Sequence, residues 1–307
     1  MLNTVKVRVP GTTANCGPGF DAIGIACTIY NELELYANYN KKLTIEIHGE
    51  GAQAIPTTER NIVWQAVKTV FQKVGYPCQG IKIIMNNRIP LARGLGSSAA
   101  AIVGGLVAAN AICGNQLSDQ QLLDLATALE GHPDNVAPAL FGGIALSAVE
   151  TSDKGIRRAH CLRFIPPSLL KMVVAIPDFT LSTKASRQVL PQAVPLQDAV
   201  FNISRTAILI GALCQGKFEY LRYALEDRLH QPYRKKLVPG MDAVFNAAMD
   251  NGALGVALSG AGPCLIAFTE TNMKRIGEGM LKAFAEHQIT ASYHELTIDA
   301  EGAKIIS

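Results

Sequence analysis

The stretch Pro90-Leu91-Ala92-Arg93-Gly94-Leu95-Gly96-Ser97-Ser98 runs straight into Ala99-Ala100-Ala101-Ile102-Val103-Gly104-Gly105-Leu106-Val107-Ala108-Ala109, and it constrains the fold more than any other part of the chain. Its second part is small, apolar and uncharged, the composition of a helix buried on all sides. Its first part holds two glycines in three residues, which lets the backbone turn sharply and lets a ligand approach the main chain. A helix opens with N–H groups that have no intrahelical acceptor and with partial positive charge. Glycines and two hydroxyls at that point make a site for an anion, of which phosphate fits best. Ser97 and Ser98 add side-chain donors, or a hydroxyl ligand for a magnesium ion. The same residues also describe a serine-capped turn before a core helix. The loop fits neither G-x-x-x-x-G-K-[ST] nor G-x-G-x-x-G.

With 307 residues, 49% apolar and 17% charged, the chain can bury a sizeable core in one or two domains. A net charge of +3 is too small to imply nucleic acid or a membrane surface. Arg157-Arg158 and Arg234-Lys235-Lys236 read as solvated faces. The seven cysteines are odd in number and form no C-x-x-C, so neither a disulfide framework nor a zinc site is expected. Reduced, mostly buried thiols in a cytoplasmic protein are. The opening residues Met1 to Val9 read as a strand without the apolar core or cleavage site of a signal peptide. No apolar stretch reaches transmembrane length.

Along the chain, Val5, Val7 and Val9 alternate with polar residues up to Pro10-Gly11, where the strand should end. Thr12 to Asp21 has loop composition, yet Asn15 and Asp21 could converge on a ligand. Leu33–Tyr39 and Leu43–Ile47 suggest a hairpin around Asn40-Lys41-Lys42. Asn61–Val74 has helical spacing stopped by Gly75, and Ile81–Met85 reads as a strand leading into the glycine loop. Ser118 with Gln121 is a capping-box signature for a helix through Leu129. Glu130-Gly131-His132-Pro133-Asp134-Asn135 is a polar cluster broken by glycine and proline. Ile144–Val149 should be the strand that closes a first domain, with a boundary in Thr151–Ala159. In the second half Lys171–Ile176, Val256–Leu258, Leu265–Phe268 and a final Ser292–Ile298 read as strands. Leu196–Leu213, Phe218–Leu229, Ala243–Met249 and Met273–Phe284 read as helices. Strands and helices do not alternate strictly, so α+β suits the pattern better than a doubly wound parallel sheet. The expected division is 1–155 and 156–307.

The string from Pro90 to Ala100 resembles the ATP loop of the GHMP kinases (galactokinase, homoserine kinase, mevalonate kinase, phosphomevalonate kinase). Three further segments match in order. Thr13 to Asp21 with Ile23-Gly24-Ile25-Ala26 resembles the first motif as homoserine kinases carry it. Glu130 to Asn135 and Leu258-Ser259-Gly260-Ala261-Gly262-Pro263 are similar to later motifs. Thr183 and Arg187, and Arg234 before Lys235-Lys236, match homoserine kinases as well. Each of these has a plain alternative: a Gly/Pro loop bonding its own backbone, a solvated glutamate, a structural histidine, surface arginines, a strand-to-strand turn.

The resemblance implies a ribosomal-S5-like first domain, a ferredoxin-like α/β sandwich as the second, and a site in the cleft between them. It implies ATP held by Pro90 to Ala100 and Mg2+ held by Ser98 and Glu130. L-Homoserine would be held by Asn15, Asp21, His132, Thr183, Arg187, Arg234 and Gly260, and phosphorylated on its hydroxyl for threonine synthesis. Arginine suits a carboxylate because its planar fork binds two oxygens at once. The position where mevalonate-type kinases carry an aspartate base falls on Asn135, which cannot take a proton. Asn15, Asp21, His132, Asn135 and Arg187 would therefore act by positioning and charge stabilisation, with Asp21 and Asp134 the residual candidates for a base. The resemblance leaves room for a homodimer. A mevalonate-type or 4-diphosphocytidyl-methylerythritol kinase, or a non-catalytic ATP-binding regulator, remain the alternatives.

Overall fold

The computed structural model describes residues 3–38, 40–153, 155, 157–167 and 169–307. Strands β1 (Thr4–Ala14) and β2 (Ile23–Ala37) form a long antiparallel pair. Pro10-Gly11 does not end β1, contrary to the expectation. The register shifts there and the ladder resumes to Ala14, because one irregular step absorbs the N–H that proline lacks. Of the expected strands at 1–9 and 33–39, Met1, Leu2 and Tyr39 lie outside the described residues.

The hairpin expected between Leu33–Tyr39 and Leu43–Ile47 is not formed. After β3 (Leu43–Gly49) the chain enters α1 (Ile62–Val74) and returns as β4 (Ile81–Asn87). That strand lies between the two, antiparallel to β2 and parallel to β3. A parallel pair needs a crossover, and α1 supplies one while burying Val63, Ala66, Val67, Val70 and Phe71 against the sheet. Asn61 caps the helix by accepting from Val63 and Trp64, and Gly75 closes it at φ 70°.

Helix α2 (Ser97–Ile112) is the buried centre of this half and packs on α1, β1 and β2. Helix α3 (Asp119–Glu130) carries the capping box of Ser118 and Gln121. The polar cluster after it is irregular only at Gly131 and His132. Pro133 to Phe141 form α4, with proline in the first turn, where its missing N–H has no intrahelical acceptor to lose. Strand β5 (Ile144–Thr151) pairs with β2, and β6 (Arg157–Phe164), unforeseen, pairs with β5. The first sheet therefore runs past the expected boundary; Lys154 and Ile156 there lie outside the described residues.

The second half contains β7 (Lys171–Pro177), α5 (Thr183–Gln188), α6 (Leu196–Gln215), α7 (Leu221–Ala224), α8 (Gln231–Arg234) and α9 (Met241–Asp250). It closes with β8 (Gly255–Leu258), β9 (Leu265–Thr269), α10 (Met273–Glu286) and β10 (Ala291–Thr297). Its four strands make an antiparallel sheet in the order β10-β7-β9-β8. Val173, Ala175, Leu265 and Ala267 on that sheet meet Val244, Ile276, Met280 and Phe284. The single helix expected over Phe218–Leu229 is broken. Asp227 turns its carboxylate onto the amides of Leu229, His230 and Gln231, which caps α8 instead of prolonging α7. Strand β10 is not the last either, since β11 (Lys304–Ile305) returns to pair with β1. Among the described residues no helix is long and apolar enough to cross a membrane.

Candidate active site

The glycine loop lies between the two halves with its carbonyls turned into the protein. Ala92 accepts from the amide of Leu181 (3.1 Å), Arg93 from that of Cys264 (3.1 Å), and Leu95 from that of Thr12 (3.0 Å). Gly94 accepts from the Ser259 hydroxyl at 2.6 Å. The amides of Gly94 through Ala99 meet no acceptor among the described residues. A row of N–H groups beside the positive end of α2 is an anion cradle. The conformation depends on Gly94 at φ 82° and Gly96 at φ 68°, with Ala92 at φ 53° carrying some strain. Leu91 to Ser98 line a cavity of about 320 Å3, while Pro90, Ala99 and Ala100 are buried behind it. The Arg93 guanidinium donates to the carbonyl of Pro177 and pairs with Asp178 across the interface.

Glu130, at the end of α3, accepts the Ser98 hydroxyl at 2.7 Å. Burial raises the Glu130 pKa, and the Ser98 bond pulls the other way. Two hard oxygen donors in contact beside a phosphate cradle are a set that suits Mg2+, which takes few carboxylates and keeps waters and phosphate oxygens. On α4, Asp134 is buried and bonds to His132 Nδ1 and, at 3.3 Å, to the Asn135 amide. Burial lowers the pKa of His132, but Asp134, Asp21 and Glu130 outweigh it and the net shift is upward. Asn135 is fixed on its other side by the Thr12 hydroxyl at 2.8 Å, a partner with no signal in the sequence.

Asp21 and Arg187 come from opposite halves and form a two-toothed ion pair, at 2.7 and 3.0 Å. That pair raises the Arg187 pKa further. Asn15 ties the halves together, donating to the Gly260 carbonyl (2.8 Å) and accepting from the Asp21 amide (2.9 Å). Its own φ is 72° and that of Asp21 is 56°. Thr183, in the first turn of α5, lines the same cavity beside Ser182.

Arg234 is not on a solvated face, as Arg234-Lys235-Lys236 suggested; it is 1% exposed, while its two lysine neighbours are exposed. Burial lowers its pKa to about 10, with the nearby Arg187 adding to the effect. The structure thus gathers Asn15, Asp21, Glu130, His132, Asn135, Thr183, Arg187, Arg234 and Gly260 around one cavity with the loop. Phe20 and His230, which sequence reasoning missed, stack behind it with ring centroids 5.2 Å apart.

Residues 61–143 match the family description "GHMP kinases N terminal domain", and residues 209–286 match "GHMP kinases C terminal". A homoserine kinase of Moorella thermoacetica is 48% identical over 98% of this chain and 99% of its own length. One from Carboxydothermus hydrogenoformans is 47% identical over 94% of this chain and 92% of its own. The crystal structure of a homoserine kinase from Cytophaga hutchinsonii superposes with a TM-score of 0.89 at 31% identity, covering 100% of this chain and 98% of that one. The two-sheet α+β architecture, the loop and these matches agree: the chain belongs to the GHMP kinase family.

Proposed function

We propose that the protein transfers the terminal phosphoryl group of ATP to the side-chain hydroxyl of L-homoserine, giving ADP and O-phospho-L-homoserine. One observation carries this reading. The cavity that holds the amide-lined loop also holds the Asp21–Arg187 pair, whose two charges complement the ammonium and carboxylate of an amino acid. Relatives nearly half identical over nearly the full chain are homoserine kinases, which favours that amino acid over others.

On this reading the loop amides hold the phosphates, and Asp21, Asn15, Thr183, Arg187 and Arg234 hold the amino acid across the interface. Neither candidate base suits the task. Asp21 already accepts from Arg187 through both its oxygens, and Asp134 is already bonded to His132 and Asn135. The chain acts by alignment and charge: a loose phosphoryl transition state gains more from both than from proton removal. His132, whose protonated form its carboxylate neighbours favour, lines the same cavity. Ser98 and Glu130 would hold Mg2+, which when bound neutralises phosphate charge. We assign the loop to an ATP-binding unit on the first sheet and Arg187 and Arg234 to a substrate unit on the second. The division then falls after β6 and before β7.

An ADP-release assay run side by side with L-homoserine, mevalonate and galactose tests the function. Turnover selective for homoserine is expected; selective turnover of mevalonate, or ATP binding with no ADP release, would overturn it. Glu130→Gln should shift the Mg2+ concentration for half-maximal activity upward by about tenfold, the effect of losing one charged oxygen ligand. An unchanged magnesium titration would remove Glu130 from that role.

A further inference from the structure

Segment 225–234 brings a histidine against the site that phosphoryl transfer, as described, does not use. His230 is wholly buried. Its Nε2 lies 2.7 Å from the carbonyl of Gly17 in the first loop, and its Nδ1 lies 3.3 Å from Nη1 of Arg234. A carbonyl only accepts and a guanidinium only donates, so the two contacts define the ring: a proton on Nε2, a bare lone pair on Nδ1. A second proton would face Arg234 with another N–H.

The charged groups around the ring are Asp227, 3.5 Å from Nε2, then Arg234 at the end of the helix that His230 precedes, and Asp21 from the first loop. Phe20 covers the ring, and the guanidinium carbons of Arg187 and Arg234 lie 5.5 and 5.3 Å from the Phe20 centroid. Burial holds the His230 pKa below its ordinary value. Gly17 packs closely on the segment before His230: a Cβ there would stand 2.2 Å from the carbonyl oxygen of Leu225.

Arginine has five N–H bonds. In Arg234, Nε donates to Ser186 (3.2 Å), and Nη1 divides its two hydrogens between Gly260 (3.0 Å) and His230. Nη2 has no acceptor among the described residues, is not one of the fully enclosed orphan atoms, and belongs to a residue that lines the cavity. With three bonds fixed and the guanidinium planar, the direction of the remaining two is fixed as well.

We propose that His230 is a positioning residue for the substrate: by accepting from Nη1 it turns the Nη2 hydrogens of Arg234 toward the substrate carboxylate. This rests on the placing of homoserine in the cavity. The test separates the two ring nitrogens. His230→Asn keeps an acceptor near the Nδ1 position, and His230→Gln keeps a donor near Nε2 for Gly17. His230→Gln should raise the KM for homoserine about tenfold, as for a lost hydrogen bond to a charged group, with kcat and the KM for ATP within about twofold. His230→Asn should stay within about threefold of wild type in all three. Equal effects of both variants, no effect of His230→Gln, or a parallel rise in the KM for ATP would overturn the proposal.

A wild-type enzyme inert toward homoserine would instead refute the functional reading. Long-range proton–nitrogen correlation spectra of the wild-type protein add a readout that survives if a variant fails to fold. They should show His230 as the Nε2–H tautomer, titrating below the ordinary histidine range. A ring with the proton on Nδ1, or one titrating near its ordinary value, would overturn the proposal independently.

Discussion

Arg187→Ala is expected to raise the KM for homoserine about a hundredfold, equivalent to about 2.7 kcal/mol, while the KM for ATP moves by less than about twofold. The guanidinium is the arm opposite Asp21, and its removal takes away a charge-assisted fork and leaves a carboxylate that repels the substrate's own. The pair spans the two halves, yet its side chains keep 38% and 35% of their exposure, so its contribution to stability is at most about 1 kcal/mol. The Tm should accordingly fall by no more than a few degrees. Arg187→Lys restores a point charge without the fork and should recover only part of the loss. Steady-state kinetics with each substrate varied in turn decides it. An equal rise in both KM values would mean that Arg187 supports the fold of the site and not the amino acid.

Gly94→Ala should lower kcat/KM for ATP by at least about a hundredfold. A Cβ there would stand 2.2 Å from the Ser259 carbonyl oxygen and 3.1 Å from the nitrogen and oxygen of Gly262, all main-chain atoms of the β8–β9 connection. None of these can swing aside like a flexible side chain, so the loop or the connection must shift. A displacement of about 1 Å in the cradle is enough for a loss of that size. Gly114→Ala is the control. Its φ is 80°, nearly the 82° of Gly94, but nothing lies within 4 Å of the added methyl. It should lose about 1 kcal/mol of stability and keep its activity. Equal kinetics for the two variants would show that close approach of the second half to the loop is not required.

The features legible in the sequence were those whose cause is local. The loop and α2 are written in consecutive residues, and so are the Asn61 and Ser118 caps, because glycine conformations and capping bonds are decided within one turn. What stayed hidden depends on distant partners. Nothing in Leu33–Tyr39 or Leu43–Ile47 says that β4 will come between them, since period-2 alternation fixes a strand's faces but not its neighbour. Helix α4 was obscured because Pro133, Asp134 and Asn135 are turn formers that are also good residues for a helix's first turn. Arg234 looked like part of a basic surface run. Two of its three acceptors lie 26 and 48 residues away, at Gly260 and Ser186. The same holds for Asp21, whose partner lies 166 positions on.

Strand β11 and Asp299 tie segment 299–305 back to β1 and β2. Lys304–Ile305 lies on β1, and Asp299 accepts the Tyr30 hydroxyl at 2.9 Å and the amides of Glu301 and Gly302. The first half is therefore not self-contained. A fragment stopped at residue 155 would forfeit two strands of its own sheet and the carboxylate that Tyr30 needs. That fragment should fold only when the rest of the chain is supplied.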